Sequence, residues 1–192
     1  MKKGKVFILS GPSGSGKTTL YKKLLATQKN LVKSISVTTR AQRPGEKHGR
    51  DYFFVSKKMF LYKRRAGHFL ESEKVFDNYY GTPGKGVGEL LKSGKNTLLC
   101  IDVKGAKTVC RKFPEAVTIF IKTRTLQELK RRLKGRGSED KKTVRLRLGV
   151  AKEELGEAKH YQYIVVNEDL NIASKELENI VEKEIFDKKR KL

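Results

Sequence analysis

The sequence predicts an α/β fold: a parallel sheet with helices on both faces, a small mixed-β lobe inserted into it, and a lid. Two observations lead to it. Four short apolar runs rich in β-branched or aromatic residues, at 6–9, 97–103, 117–121 and 163–166, read as buried strands, because strands covered on both faces stay apolar instead of alternating. Between and after them, apolar residues recur at helical spacing: Leu20, Leu24 and Leu25; Leu126, Leu129 and Leu133; Val144, Leu148, Ala151 and Leu155; Ala173, Leu177, Ile180 and Val181. Strand–helix alternation of this kind winds helices over both sides of a sheet and puts ligand sites at the strands' carboxyl ends.

The first strand runs directly into Gly11-Pro12-Ser13-Gly14-Ser15-Gly16-Lys17-Thr18, and a helical pattern follows at once. This is the pattern of a phosphate-binding loop, so the sheet is of the P-loop NTPase type. Gly11 and Gly16 are needed because backbone N–H groups must close around an anion at a range a Cβ would obstruct. Lys17 is placed to reach the β and γ phosphates, and the Thr18 hydroxyl to face Mg²⁺. A glycine- and serine-rich surface turn is the plain alternative; the strand before and the helix after argue against it.

Residues 35–86 interrupt the alternation with Pro44-Gly45, His48-Gly49, Gly81-Thr82-Pro83-Gly84 and the aromatic run Tyr52-Phe53-Phe54-Val55, which predicts the inserted mixed-β lobe. A second irregular stretch, 135–140, joins two helices, is rich in glycine and charge, and predicts a mobile lid. The expected division is a core of 1–34, 87–134 and 149–192, a lobe of 35–86 and a lid of 135–148, with hinges near Lys33-Ser34 and 84–88. Only the last six residues look disordered.

With 192 residues the chain is long enough for one globular unit. Cys100 and Cys110 are the only cysteines and have no zinc spacing, so they read as small core residues in a reducing compartment. No signal peptide or membrane span is evident, which predicts a cytoplasmic protein without a membrane partner. Forty-four Lys and Arg against 21 Asp and Glu give a net charge of +23, which favours anionic partners. The cations are spread along the chain without an aromatic-interleaved basic motif, so no specific nucleic acid is expected. His48, His68 and His160 share no ligand spacing.

Ser36-Val37-Thr38-Thr39-Arg40-Ala41-Gln42-Arg43-Pro44-Gly45-Glu46, continued by Gly49-Arg50-Asp51-Tyr52-Phe53-Phe54-Val55, resembles the guanylate kinase family, P-loop nucleoside monophosphate kinases that move a phosphoryl group from ATP to GMP. The likeness extends over nearly the whole chain, through Phe69-Leu70-Glu71, Asn78-Tyr79-Tyr80-Gly81-Thr82-Pro83, Ile101-Asp102-Val103 and Val166-Asn167-Glu168-Asp169-Leu170. It implies that the lobe binds GMP, with Arg40, Arg43, Tyr52 and Tyr80 on the phosphate. Two guanidinium forks and two phenols suit a dianion. The resemblance further implies Glu71 and Asp102 as carboxylates opposite the guanine N–H donors, and Ser36 and Thr82 as its hydroxyl contacts. Residues 11–18 and Asn167 would hold ATP, with Mg²⁺ at Thr18 and the phosphates. Lys17 and the lid arginines Arg132, Arg136 and Arg147 would neutralise the transferring phosphoryl group.

One departure stands out. The family usually has an aspartate two residues before Asp102, where this chain has Cys100, and glutamine is common where it has Lys104. The implied activity is Mg-dependent phosphorylation of GMP, and of dGMP, in purine nucleotide recycling, by a monomer or homodimer. A non-catalytic interaction module, a P-loop kinase for another nucleotide, and a basic P-loop protein acting on nucleic acid are the alternatives. The intact phosphate loop opposes the first, and the block from Ser36 to Glu46 with Glu71 opposes the second. Strongly salt-dependent polynucleotide binding would mark the third.

Overall fold

A computed structural model describes residues 3–134 and 141–186, the side chains of 141–143 excepted. The centre of the expected lid, with Arg136, and the six-residue tail therefore lie outside the described residues.

All four apolar runs form strands of one sheet. In chain order the elements are β1 (Val6–Ser10), α1 (Lys17–Thr27), β2 (Leu31–Lys33), β3 (Val37–Thr38), β4 (Phe53–Phe54), α2 (Lys57–Arg65), β5 (Phe69–Val75), β6 (Asn78–Pro83) and α3 (Gly84–Lys92). They continue with β7 (Asn96–Cys100), α4 (Val103–Lys112), β8 (Val117–Lys122), α5 (Leu126–Lys134), α6 (Lys141–Gly156), a 3-10 turn at Glu157–His160, β9 (Tyr163–Val166) and α7 (Leu170–Phe186). Five strands form a sheet in the order β2-β7-β1-β8-β9, and β2–β7, β1–β8 and β8–β9 pair in parallel. Four others form a mixed sheet in the order β4-β3-β6-β5, within the span expected for the inserted lobe.

By its internal contacts the chain divides into two compact units. The first comprises 1–6, 30–99 and 104–116 and holds β2, the mixed sheet, α2, α3 and α4. In the mixed sheet β3 pairs with β4 in parallel and with β6 antiparallel, and β5 and β6 make a hairpin. The aromatic centre of this unit is Phe60, fully buried on α2, stacked on Phe69 at 4.7 Å and beside Tyr79 at 5.4 Å. Ser56 caps α2 by accepting from the Met59 N–H.

The second unit comprises 7–29, 100–103 and 117–192. Phe7, Ile8 and Leu9 of β1 and Ile119, Phe120 and Ile121 of β8 are completely buried, as continuous apolar strands predict. Leu20 and Leu24 on α1, and Ala173, Leu177 and Val181 on α7, are the inward faces of two helices that pack together. Leu129 and Leu133 of α5 meet Ala151 of α6 in a second cluster.

Three expectations are corrected. The run 97–103 is not one strand: β7 ends at Cys100 and Val103 opens α4. Ile101 and Val103 stay buried past the strand's end, so the apolar run is longer than the strand it contains. The run 163–166 forms β9 but is not buried throughout: at the sheet's edge, Ile164 is 39 % and Val166 37 % exposed. The glycine-rich stretch 84–88, expected near a hinge, forms the start of α3.

Candidate active site

In the second unit, β1 delivers the chain into the loop of residues 11–16, and α1 begins at Lys17. The loop's glycines are fixed by close approach. Gly11 has φ +135°, and a Cβ there would lie 2.1 Å from the Ile121 carbonyl oxygen; Gly16 has φ +91°, and a Cβ would lie 2.0 Å from Asn167 Nδ2. Neither position tolerates a side chain. The N-terminus of α1 has no side-chain cap and no acidic residue in its first turn, so its N–H groups and dipole are oriented to receive an anion. Lys17 Nζ donates to the Gly11 and Pro12 carbonyls, folded back over the loop it serves.

Asn167 is the strut of this loop. Its backbone N–H donates to Lys122 O at 2.8 Å, its side-chain amide donates to Ser15 O at 2.8 Å, and its carbonyl accepts from Arg132 Nη2 at 2.8 Å. Arg132 also pairs with Glu128 one turn back on α5. Gly14, Gly16, Thr19, Arg132, Asn167 and Leu170 line a hollow of about 320 Å³ beside the loop. The Ser15 hydroxyl is buried without a hydrogen-bond partner among the described residues, an unmet donor that suits an anion's oxygens. Thr18 is exposed at the start of α1, and Arg147 is half-buried on α6.

Cys100 is also in this unit and feels the charge of Lys17. Burial pushes its thiol up, against the opposing pull of Lys17, so it is neutral at pH 7 and gives Lys17 no counter-charge. Asp102 lies two residues on, half-buried between β7 and α4.

The first unit holds the other candidates. Glu71 of β5 stands opposite Thr82 of β6, next to a register irregularity that follows Phe69. It is only 6 % exposed and accepts a 2.5 Å hydrogen bond from Thr82 Oγ1. Arg40 follows β3, its backbone N–H held by Thr38 Oγ1. The register that sets Thr38 opposite both Tyr80 and Phe54 brings aromatic rings to the Arg40 guanidinium, which lies 5.5 Å from the Tyr52 ring and 5.8 Å from the Phe54 ring. Tyr52 and Tyr80 meet edge to face at 6.2 Å. Ser36 is half-buried and accepts from the Phe53 N–H, whereas Arg43 is exposed. The unit therefore gathers Arg40, Tyr52 and Tyr80 in one group and Glu71 with Thr82 in another.

A guanylate kinase family model matches residues 3–184. The chain belongs to the guanylate kinase family. It is 42 % identical over 184 residues to a guanylate kinase of Clostridioides difficile, covering 96 % of this chain and 90 % of that protein. It is 44 % identical over 183 residues to one from Anaplasma phagocytophilum, covering 94 % and 87 %. The crystal structure of a guanylate kinase from Anaplasma phagocytophilum matches with a TM-score of 0.79 and 36 % identity over 96 % of this chain and 87 % of that one. The parallel sheet with flanking helices and the second, mixed sheet are thus the fold of a guanylate kinase family member.

Two features of this family member were not legible in its motifs. Asn167, expected against ATP, has its side-chain amide committed to the Ser15 carbonyl, and only the fold brings these residues, 152 apart, together. Glu46 closes the ends of the motif containing Arg40 and Arg43; its spacing three residues after Arg43, across Pro44-Gly45, was the available signal. Among the described residues no group of three or more His, Cys, Asp or Glu could hold a metal. The Thr18 hydroxyl is an oxygen donor of the kind a hard cation takes.

Proposed function

We propose that this chain transfers the γ-phosphoryl group of Mg-ATP to GMP, and to dGMP, giving ADP and GDP or dGDP. The observation that carries this is Glu71, a buried carboxylate held by Thr82 in the same unit as the Arg40, Tyr52 and Tyr80 group. Guanine offers N–H donors at N1 and N2 to a carboxylate. Adenine sets a lone pair at N1 against it and has no N2 donor, so the buried charge would go unmatched. Because Thr82 already donates its proton to Glu71, its oxygen keeps only acceptor capacity, and the guanine O6 is left to Ser36. Asp102 supplies the second carboxylate of this reading. Arg40, Arg43, Tyr52 and Tyr80 take the GMP phosphate.

The ATP phosphates lie in the loop of residues 11–18, on the N-terminus of α1. Lys17 leaves the Gly11 and Pro12 carbonyls to meet them. The acceptor is already an anionic phosphate oxygen, so no general base is needed and catalysis is in-line positioning with charge neutralisation. Arg132, Arg136 and Arg147 supply that neutralisation, and Asn167 keeps the loop in shape for it. Mg²⁺, held by Thr18 and the phosphates, would offset their charge and keep them aligned. The reading includes a cytoplasmic role in purine nucleotide recycling; among the described residues no helix is long and apolar enough to cross a membrane.

A coupled ADP-release assay with Mg-ATP and GMP, dGMP, AMP, CMP and UMP tests it, with Lys17→Ala as blank. Turnover of the guanine nucleotides alone, abolished in the blank, is the expected result. Comparable turnover of AMP would overturn the reading.

A further inference from the structure

We propose that Glu46 is a positioning residue for the acceptor-phosphate site: its carboxylate ties the Arg40 guanidinium and the Arg43 main chain into one preset turn. This rests on the reading of Arg40 and Arg43 as the GMP phosphate contacts. Arg40 Nη2 donates to both Glu46 oxygens, at 2.8 and 3.0 Å, and Nη1 donates to the Ala41 carbonyl at 2.7 Å. The same carboxylate accepts the Arg43 backbone N–H at 2.9 Å, while the Glu46 N–H returns a bond to Arg43 O at 3.1 Å. The turn is closed by reciprocal bonds. Gln42 Nε2 adds another to the Glu46 carbonyl.

The pair is sheltered rather than solvated, with side chains 14 % and 19 % exposed and the Tyr52 and Phe54 rings against the guanidinium. Burial works against both charges. Even so, the hydrogen bond and charge of Arg40, with the Arg43 N–H, hold the Glu46 carboxyl below its usual range, and Glu46 holds Arg40 above its own. Arg40 keeps for an anion the N–H groups that Glu46 and Ala41 do not engage, Nε–H among them, in an orientation fixed before the anion arrives.

A carboxylate beside an anion site has two opposed effects, and their sign separates them. As a mere counter-charge it repels phosphate, and its removal would tighten GMP binding. As a positioning group it holds the fork in place, and its removal loosens GMP binding although the site becomes more positive. The second effect prevails here because Arg40 and Arg43 share one anchor.

Steady-state kinetics of the wild type, Glu46→Gln and Glu46→Asp decide between them. Gln keeps the shape without the charge; Asp keeps the charge one methylene short. The expected result for Glu46→Gln is a rise of about tenfold in KM for GMP, with kcat and KM for ATP within about twofold and an unchanged inhibition constant for guanosine, which has no phosphate. Glu46→Asp should fall between Gln and wild type, and it carries the test on the same readout if Glu46→Gln does not fold. An unchanged or lowered KM for GMP overturns the proposal. If the wild type does not phosphorylate GMP, the functional reading is what fails, and calorimetric titration with inorganic phosphate then tests Glu46: weaker binding to Glu46→Gln supports its role, equal or tighter binding overturns it.

Discussion

Glu71 and Cys100 show how one side chain's surroundings set its role. Glu71 is buried, so the charge that the proposed function sets against guanine is also one the protein must keep satisfied. Glu71→Gln keeps the shape but presents an amide N–H₂ where a guanine donor should meet an oxygen; kcat/KM for GMP should fall at least about a hundredfold, and wild-type-like kinetics would remove Glu71 from the site. Cys100 poses a different question, because its thiol is pushed above the ordinary value of 9.0. A raised thiol pKa means the folded protein holds its proton longer than the unfolded chain. The stabilisation is complete below the unfolded value and is lost as pH rises through the folded one. Chemical denaturation from pH 7 to 10 should therefore show a loss of stability at the alkaline end that is smaller in Cys100→Ala, and an identical pH dependence in both proteins would count against it.

At the scale of elements, the β5–β6 hairpin stores a local conflict. Val75 pairs with Asn78, so Phe76 and Asp77 make the turn, and Phe76 adopts φ +54°. Among the described residues it is the only non-glycine with positive φ, a conformation costing a bulky side chain roughly 1–2 kcal/mol. Phe76→Gly should relieve it and raise the thermal midpoint by a few degrees, unless lost contacts of the half-buried ring dominate; a lower midpoint would show that they do. Legibility also varied by element. Strands β1 and β8 could be read because burial on two faces leaves an unbroken apolar run; β9 carries a similar run although it lies at the sheet's edge with Ile164 and Val166 exposed. Strands β3 and β4 have two residues each, too few for any period, so the lobe was legible only through its turns and motifs. Helix α2, Lys57–Arg65, buries only Phe60 fully and shows no apolar stripe; α3 opens on three glycines in five residues and reads as a loop. The site followed the same logic. Loop glycines and motif residues such as Glu71 and Arg40 could be named, while the Asn167 strut joins residues distant in sequence.

Over the whole molecule, the net charge of +23 speeds encounter with anionic nucleotides in a salt-dependent way without selecting among them. In the proposed function, selection belongs to Glu71 and the groups around it. The two compact units are interleaved along the chain, which passes between them at 6/7, 29/30, 99/100, 103/104 and 116/117. This interleaving governs the order of events at the ribosome. β1 and the phosphate loop are made before β8, with which β1 pairs in parallel, and before Ile121, whose carbonyl seats Gly11. The amide that holds Ser15 comes later still, at Asn167. At the usual pace of synthesis the loop emerges on the order of ten seconds before its strut, so a nascent chain has the phosphate-binding motif long before it has the means to keep it in shape.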